Sequence, residues 1–475
     1  MGEDRIDPFN LEVLTGSQLV RIGDSLRGIR IRRCVDDILR YIRRNGVCIR
    51  VLLIQGLEGT SDHIIEQTAM MLTEDELDRT AIIRIHTGNS MKELCIDMDE
   101  LQRRKCCYVL IENATEMDDF IGQCAVLADI YAASGFRIII SGHDSFMFEL
   151  ASYDQLFDRC IQLHTTFIPF CEYERLGGRG GIYGFTGCLI NNGDDIDYYL
   201  ENAVVGNIVR SIGQCNNPPL ERHTWDLMNS GLLEYAISCV LEDLNRRFVS
   251  DCLFQLNGPD YGSKVQHSEL ENMSVIDGEA RKRILYLLEL VDFIRTVHVI
   301  DMRGEPDSFD RTILTQPYIR FAQAFSTVCG CTENVRERRE VLEKIRAEVE
   351  REMVILEIAE AFPKRMNRTL ILSSGIVDVI SYDDESMTCR LYIVDDDVDF
   401  EMPAVLMDPE SCNLIKHSFG EITDKVVIHR GGTRDEGAIR FVNIEEFLRG
   451  LGKTDCSSPG FPSSQHRSPH LSPLK

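Results

Sequence analysis

Between Ile49 and His164 the chain repeats one pattern: a short, almost continuously apolar run, then an amphipathic stretch, five times over. The runs are IRVLLI ending at Ile54, TAIIRIH ending at His86, CCYVLIE ending at Glu112, FRIIIS ending at Ser141 and RCIQLH ending at His164. A strand that is apolar at both odd and even positions has to be covered on both faces, and helices supply that cover in a parallel sheet built from βαβ units. Ser61 to Leu72 reads as one such helix, with Ser61 or Asp62 as its N-cap. The pattern therefore predicts an α/β fold whose first unit is doubly wound.

The period then changes. From about Asp194 to Phe248 the pattern is helical, and the polar stretch GPDYGSKVQHSELENMS reads as a loop or linker. ARKRILYLLELVDFI is a further helical stretch, and Leu342, Ile345, Val349, Met353 and Leu356 recur at helical spacing as a packing stripe. From Arg368 to Leu451, TLILSS, GIVDVISYD, TCRLYIVD and KVVIHRG read as strands of a second, smaller α/β or α+β unit closed by the helix EEFLRGL. With 475 residues, roughly three domains are expected. We place them at 1–190, 191–330 and 331–452, followed by a Ser-, Pro- and His-bearing tail, 453–475, expected to be disordered. No internal repeat is evident.

Charge narrows the partners. Lys plus Arg number 51 against 77 Asp plus Glu, and the formal charge of −26 argues against a general nucleic-acid coat. A protein partner or self-association is expected instead, and no segment is apolar enough for a membrane span. MGEDRIDPFN carries neither a secretion signal nor a myristoylation signal, so a cytoplasmic protein is expected. The 17 cysteines lie mostly in apolar runs and read as reduced, buried thiols, while Cys329 and Cys331 lack a second pair at zinc-like spacing.

The first run leads directly into Gly56-Leu57-Glu58-Gly59-Thr60-Ser61-Asp62-His63, where a nucleotide-binding α/β unit carries its phosphate loop. A working GxxxxGK[ST] loop cradles phosphates with backbone N–H groups, reaches them with Lys and holds Mg²⁺ with a hydroxyl. Here Gly56 is kept, but Ser61 replaces the second Gly, Asp62 the Lys and His63 the Ser or Thr. At about 4 Å and an effective dielectric near 20, Asp62 turns an attraction of about 4 kcal/mol into a repulsion of similar size. A helix N-terminus contributes about 1 kcal/mol or less, so the charge reversal is expected to dominate. The third run ends in Glu112-Asn113, where an ATPase has an Asp-Glu pair. Glu112 suits a hydrated metal, but the Asn113 amide cannot serve as a general base. Ser141 ends the fourth run at the polar position where such ATPases sense a γ-phosphate, although an SG dipeptide after a strand more often marks a turn.

In this order the motifs resemble those of the prokaryotic AAA-type P-loop ATPases that carry a C-terminal PD-(D/E)xK restriction-nuclease-like domain. The resemblance runs from the Gly56 loop through VLIENATEMDDF and SGHDS to FDRCIQLHTTFIPFCEYERL, and on to FGEITDKVVIHRGG and FVNIEEFLRGL. It places Arg159 at the family's arginine and Pro169, Phe170, Glu172 and Tyr173 in the segment after it. It implies a P-loop parallel sheet with flanking helices, a helical lid or winged-helix-like region, and a nuclease-like domain. It also implies ATP and Mg²⁺ as cofactors, with Gly56, Gly59, Thr60, Ser61, Asp62, His63 and Ser141 toward the nucleotide. Glu112 falls at the Mg²⁺ position, and Glu112, Asn113 and Arg159 at catalytic positions. In the nuclease-like domain it aligns Asp378 with a metal-binding Asp, but Ile393 and Asp395 with the Glu and Lys that hold metal and phosphate. The acidic run Asp395, Asp396, Asp397, Asp399 and Glu401 lacks the Gly and Glu of a calcium loop, having Phe400 and Leu406 there, and reads as solvated.

The expectation is thus a degenerate, nucleotide-binding-impaired AAA-type protein acting as a regulatory or interaction module. The alternative is an ATPase that binds and hydrolyses ATP through unusual phosphate-loop geometry.

Overall fold

The computed structural model describes residues 9–25, 31–46, 48–57, 59–61, 63–187, 193–214, 222–254, 276, 278–331, 335–395 and 402–454. Asp62, the 258–274 linker, the acidic residues Asp396, Asp397, Asp399 and Glu401, and the tail from 455 onward lie outside the described residues.

The apolar runs become strands of one six-stranded sheet: β1 (Glu12–Thr15), β2 (Val51–Gln55), β3 (Thr80–Arg84), β4 (Tyr108–Glu112), β5 (Arg137–Gly142) and β6 (Cys160–His164), in the order β1-β3-β4-β5-β2-β6. From β2 to β6 every pairing is parallel, and β1 adds an antiparallel edge on β3. Alternate residues of each strand enter different cores. Leu52, Ile54, Ile82, Leu110 and Ile139 pack with the helices Cys34–Ile42 and Ile64–Met70. Val51, Leu53, Ile83, Ile111 and Ile140 pack with the helices Met91–Arg103 and Ser145–Asp154. Both faces are covered, which is why the runs had to be continuously apolar. The chain leaves β2 on one face while the β5–β6 connection passes β2 on the other. The end of β2 is therefore the topological switch point, where ligands bind in open α/β sheets.

A second sheet of eight strands contains β7 (Ile294–Asp301), β8 (Asp307–Leu314), β9 (Met366–Leu372), β10 (Gly375–Asp383), β11 (Thr388–Val394), β12 (Glu421–His429), β13 (Arg434–Glu436) and β14 (Ile439–Asn443), ordered β13-β14-β12-β11-β10-β9-β7-β8. It is mixed: β9, β10 and β11 are antiparallel neighbours, whereas β11 with β12 and β7 with β9 run parallel. The helix Pro409–Phe419 makes the β11–β12 crossover, entered through Asp408, which accepts a 2.9 Å bond from the Ser411 N–H ahead of Pro409. This sheet begins upstream of 331, because β7 and β8 lie within the stretch expected to be helical. Their charged positions, such as Arg295, His298, Asp310 and Arg311, conceal the strand pattern.

The stretch after β6 joins the two units. Phe167, Phe170, Ile182 and Phe185 enter the core of the second unit beside Met353, Val394, Val426 and Phe447. Met353 belongs to the long helix Val335–Ala361, whose apolar stripe buries Ile345, Val349 and Leu356 as its spacing predicts.

Candidate functional site

The turn leaving β2 is built for close approach. A Cβ on Gly56 would lie 2.0 Å from Thr165 Oγ1 and 2.5 Å from Thr60 Oγ1, so a side chain cannot be placed there without displacement. Gly59 follows at φ +83°, a conformation L side chains rarely adopt. The loop then folds on itself: the Thr60 N–H and Oγ1 both donate to the Leu57 carbonyl, at 2.9 and 2.6 Å. The Leu57 N–H donates to Thr166 Oγ1 at 3.1 Å. Thr60 and Ser61 are buried, whereas His63 is exposed at φ 57° and begins the seven-residue helix Ile64–Met70. Two amides from the region expected to cradle phosphate thus have partners inside the protein.

A buried arginine fastens this loop. Arg32 donates to the Thr60 carbonyl and, at 3.3 Å, to the Thr165 carbonyl, and its Nε pairs with the Glu172 carboxylate. Glu172 also accepts the Arg33 N–H at 3.0 Å, and both members of the pair are less than a tenth exposed. The Phe170 N–H, two residues away, donates to Glu357 on the long helix of the second unit, and burial pushes the Glu357 carboxyl up to about 8. The loop, the N-terminal segment and the second sheet unit therefore meet at Arg32 and Glu172. The sequence held no local signal for this, since 140 residues separate the two.

At the ends of β3 and β4 a second constellation forms. Glu112 Oε2 pairs with Arg84 Nε at 2.8 Å, and Arg84 also reaches Glu66 at 3.4 Å and Glu12 at 3.2 Å. Burial, and then the neighbouring Glu66 carboxylate, push the Glu112 carboxyl up to about 7 despite Arg84. The guanidinium thus lies against the carboxylate expected to orient a metal. Asn113 turns the chain with φ 57° and ψ 35°, and its carbonyl accepts the Glu116 N–H at 2.9 Å. Ser141 is buried at the end of β5, with Oγ 3.5 Å from the Ile111 carbonyl. Gly56, Thr60, Glu112 and Ser141 thus share the carboxyl edge of one sheet.

Arg159 lies elsewhere. It precedes β6, at the opposite end of the strands from Gly56, where its carbonyl accepts the Val51 N–H and its guanidinium pairs with Asp129. In the second unit the Asp378 carboxylate accepts the Val394 N–H at 2.8 Å and faces Arg351 at 3.5 Å, beside an irregularity in the β9–β10 register. Ile393 is buried in an apolar core, and the Asp395 N–H donates to Ile428. Among the described residues no group of three or more His, Cys, Asp or Glu is arranged to hold a metal ion.

The parallel order, the switch-point glycine turn and the acidic strand end define a doubly wound α/β unit, joined to a second sheet unit. No protein-family model matches the sequence, and no curated protein does. Among solved structures the chain is similar to the Walker-type ATPase PABY2304 of Pyrococcus abyssi, at 10% identity and a TM-score of 0.31, over 62% of this chain and 98% of that one. It is also similar to the S. cerevisiae Hsp104–ADP complex, at 10% identity and a TM-score of 0.26, over 74% of this chain and 47% of that one. Among the described residues no helix is long and apolar enough to cross a membrane.

Proposed function

We propose that this protein is a nucleotide-binding-impaired regulatory or interaction module, in which the phosphate loop of an ATPase-like fold has become a joint between two units. One observation carries the reading: the loop and the acidic strand end are already engaged by side chains of the same chain. Thr166 takes the Leu57 N–H, Arg32 takes the Thr60 carbonyl, and Arg84 takes Glu112. A polyphosphate entering here has to displace neutral bonds worth about 0.5–1.5 kcal/mol each and charged ones worth about 1.5–3. It would do so without the lysine that ordinarily repays the cost. The same reading gives Asp378 a structural role, because the Val394 N–H and Arg351 already occupy its carboxylate. The partner is a protein, or a second copy of this chain.

The test is a titration of the full chain with ATP and Mg²⁺ followed by melting. Ligand at a hundred times its Kd stabilises by about 2.7 kcal/mol, and no saturable shift is expected. Saturable stabilisation, abolished by Gly56→Ala or Glu112→Gln, would instead establish the active-ATPase alternative. Asp62→Lys with His63→Thr should restore binding if the register of the loop is as given above.

A further inference from the structure

One guanidinium in the second unit differs from its neighbours. Arg311 reaches Glu348 at 2.6 Å and Glu352 at 3.1 Å, Arg320 reaches Glu352 at 3.4 Å, and Arg430 reaches Glu350 at 2.9 Å. Arg346, on the same helix as these glutamates and only 6% exposed, makes no ion pair with a described carboxylate, and its Nε and Nη1 are buried without an acceptor among the described residues. Its helical neighbour Glu350 is committed to Arg430. What Arg346 has is aromatic: its guanidinium carbon lies 3.4 Å from the Tyr183 ring centroid and 5.0 Å from that of Phe321. Ring faces attract the cation but accept nothing from its in-plane N–H groups. Leaving such donors unmet in a buried position is costly. In a chain of net charge −26 the absence of a carboxylate here among the described residues is conspicuous.

The surroundings indicate what is missing. Tyr183, which stacks on the guanidinium, is 58% exposed and lies on the short helix Gly181–Gly187. Beside Phe321, with ring centroids 6.4 Å apart, Phe325 is 36% exposed and extends the aromatic surface outward. We propose that Arg346 anchors a binding site, closed by Tyr183, for an oxyanion carried on an aromatic group: an aryl phosphate or aryl carboxylate. The guanidinium takes the oxyanion, for which its planar donors are suited, and the aryl body lies against Tyr183, Phe321 and Phe325. This site belongs to the second unit and does not depend on the reading of the Gly56 loop.

Phenyl phosphate, benzoate and inorganic phosphate, each titrated into the full chain while melting is followed, test the proposal. Phenyl phosphate and benzoate should give saturable upward shifts, with apparent affinities at least tenfold tighter than inorganic phosphate. Both shifts should vanish in Arg346→Gln and weaken severalfold in Tyr183→Leu. No saturable shift with either aryl anion, equal binding of inorganic phosphate, or shifts unchanged in Arg346→Gln would each overturn it. Should the variants at 346 not fold, ¹⁵N-arginine spectra of the unmodified chain decide: benzoate must move one slowly exchanging Nε–Hε resonance, and a spectrum unchanged at saturating benzoate refutes the site.

Discussion

Replacing Glu112 with Gln should remove a specific pH dependence from this protein's stability. In the folded chain burial and Glu66 hold the Glu112 proton up to about pH 7, against an ordinary value of 4.5. Because the folded value is raised, the group's contribution is present in full below about pH 4.5 and is lost as pH rises through about 7. The gap is about 2.5 pH units at about 1.4 kcal/mol each, which bounds the effect at roughly 3.5 kcal/mol. A glutamine has no proton to lose and still offers Arg84 an amide oxygen. Urea unfolding of the two proteins at pH 5, 6, 7 and 8 provides the assay. The wild type should lose about 2–3 kcal/mol relative to Glu112→Gln between pH 5 and pH 8, most of it between 5 and 7. A difference between the two that stays constant within about 0.5 kcal/mol across that range would refute the reasoning, because Glu112 would then be ionised throughout.

Other expectations concern the joint. Glu172→Gln leaves Arg32 as a buried, unpaired charge and should cost about 3–5 kcal/mol, whereas Arg32→Met with Glu172→Leu should recover most of that loss in a double-mutant cycle. Gly56→Ala, forcing a methyl against Thr165 and Thr60, should destabilise by about 1–3 kcal/mol, and Thr165→Ala should relieve part of it in the same urea assay. Arg159→Ala removes a partly exposed ion pair with Asp129 and a bond to the Gln155 carbonyl, so its unfolding midpoint should fall by the equivalent of only about 1 kcal/mol.

The first sheet was legible because its strands are mostly apolar at odd and even positions alike: Tyr108–Glu112 and Cys160–His164 lie within the runs read from the sequence, and Val51–Gln55 overruns its run by one residue. The short strand β1, with a single ladder partner, and the strands β7 and β8, which interleave Arg295, His298 and Asp310 with apolar residues, show neither periodicity clearly. The candidate site was legible only in part, for a related reason. Gly56, Glu112 and Ser141 sit at strand ends, where topology fixes their place. Arg32, Arg84 and Glu172 act through contacts spanning 18 to 140 residues, and no local pattern encodes such a meeting. The domain reading had the same weakness: the segment that ends the first unit in sequence belongs to the core of the second.

That borrowed segment has a consequence for biosynthesis. Phe170 emerges early but meets Glu357 only after a further 187 residues have been made. At about 5–20 residues per second, this is a delay on the order of ten seconds or more. During that interval Phe167, Phe170, Ile182 and Phe185 have no core to enter, while the sheet from β2 to β6 has all its strands. Arg32 and Glu172 can already close, tying the waiting phenylalanines to a finished surface. The pair thus offers the nascent chain a tether that holds an aggregation-prone hydrophobic segment in register until its distant half arrives.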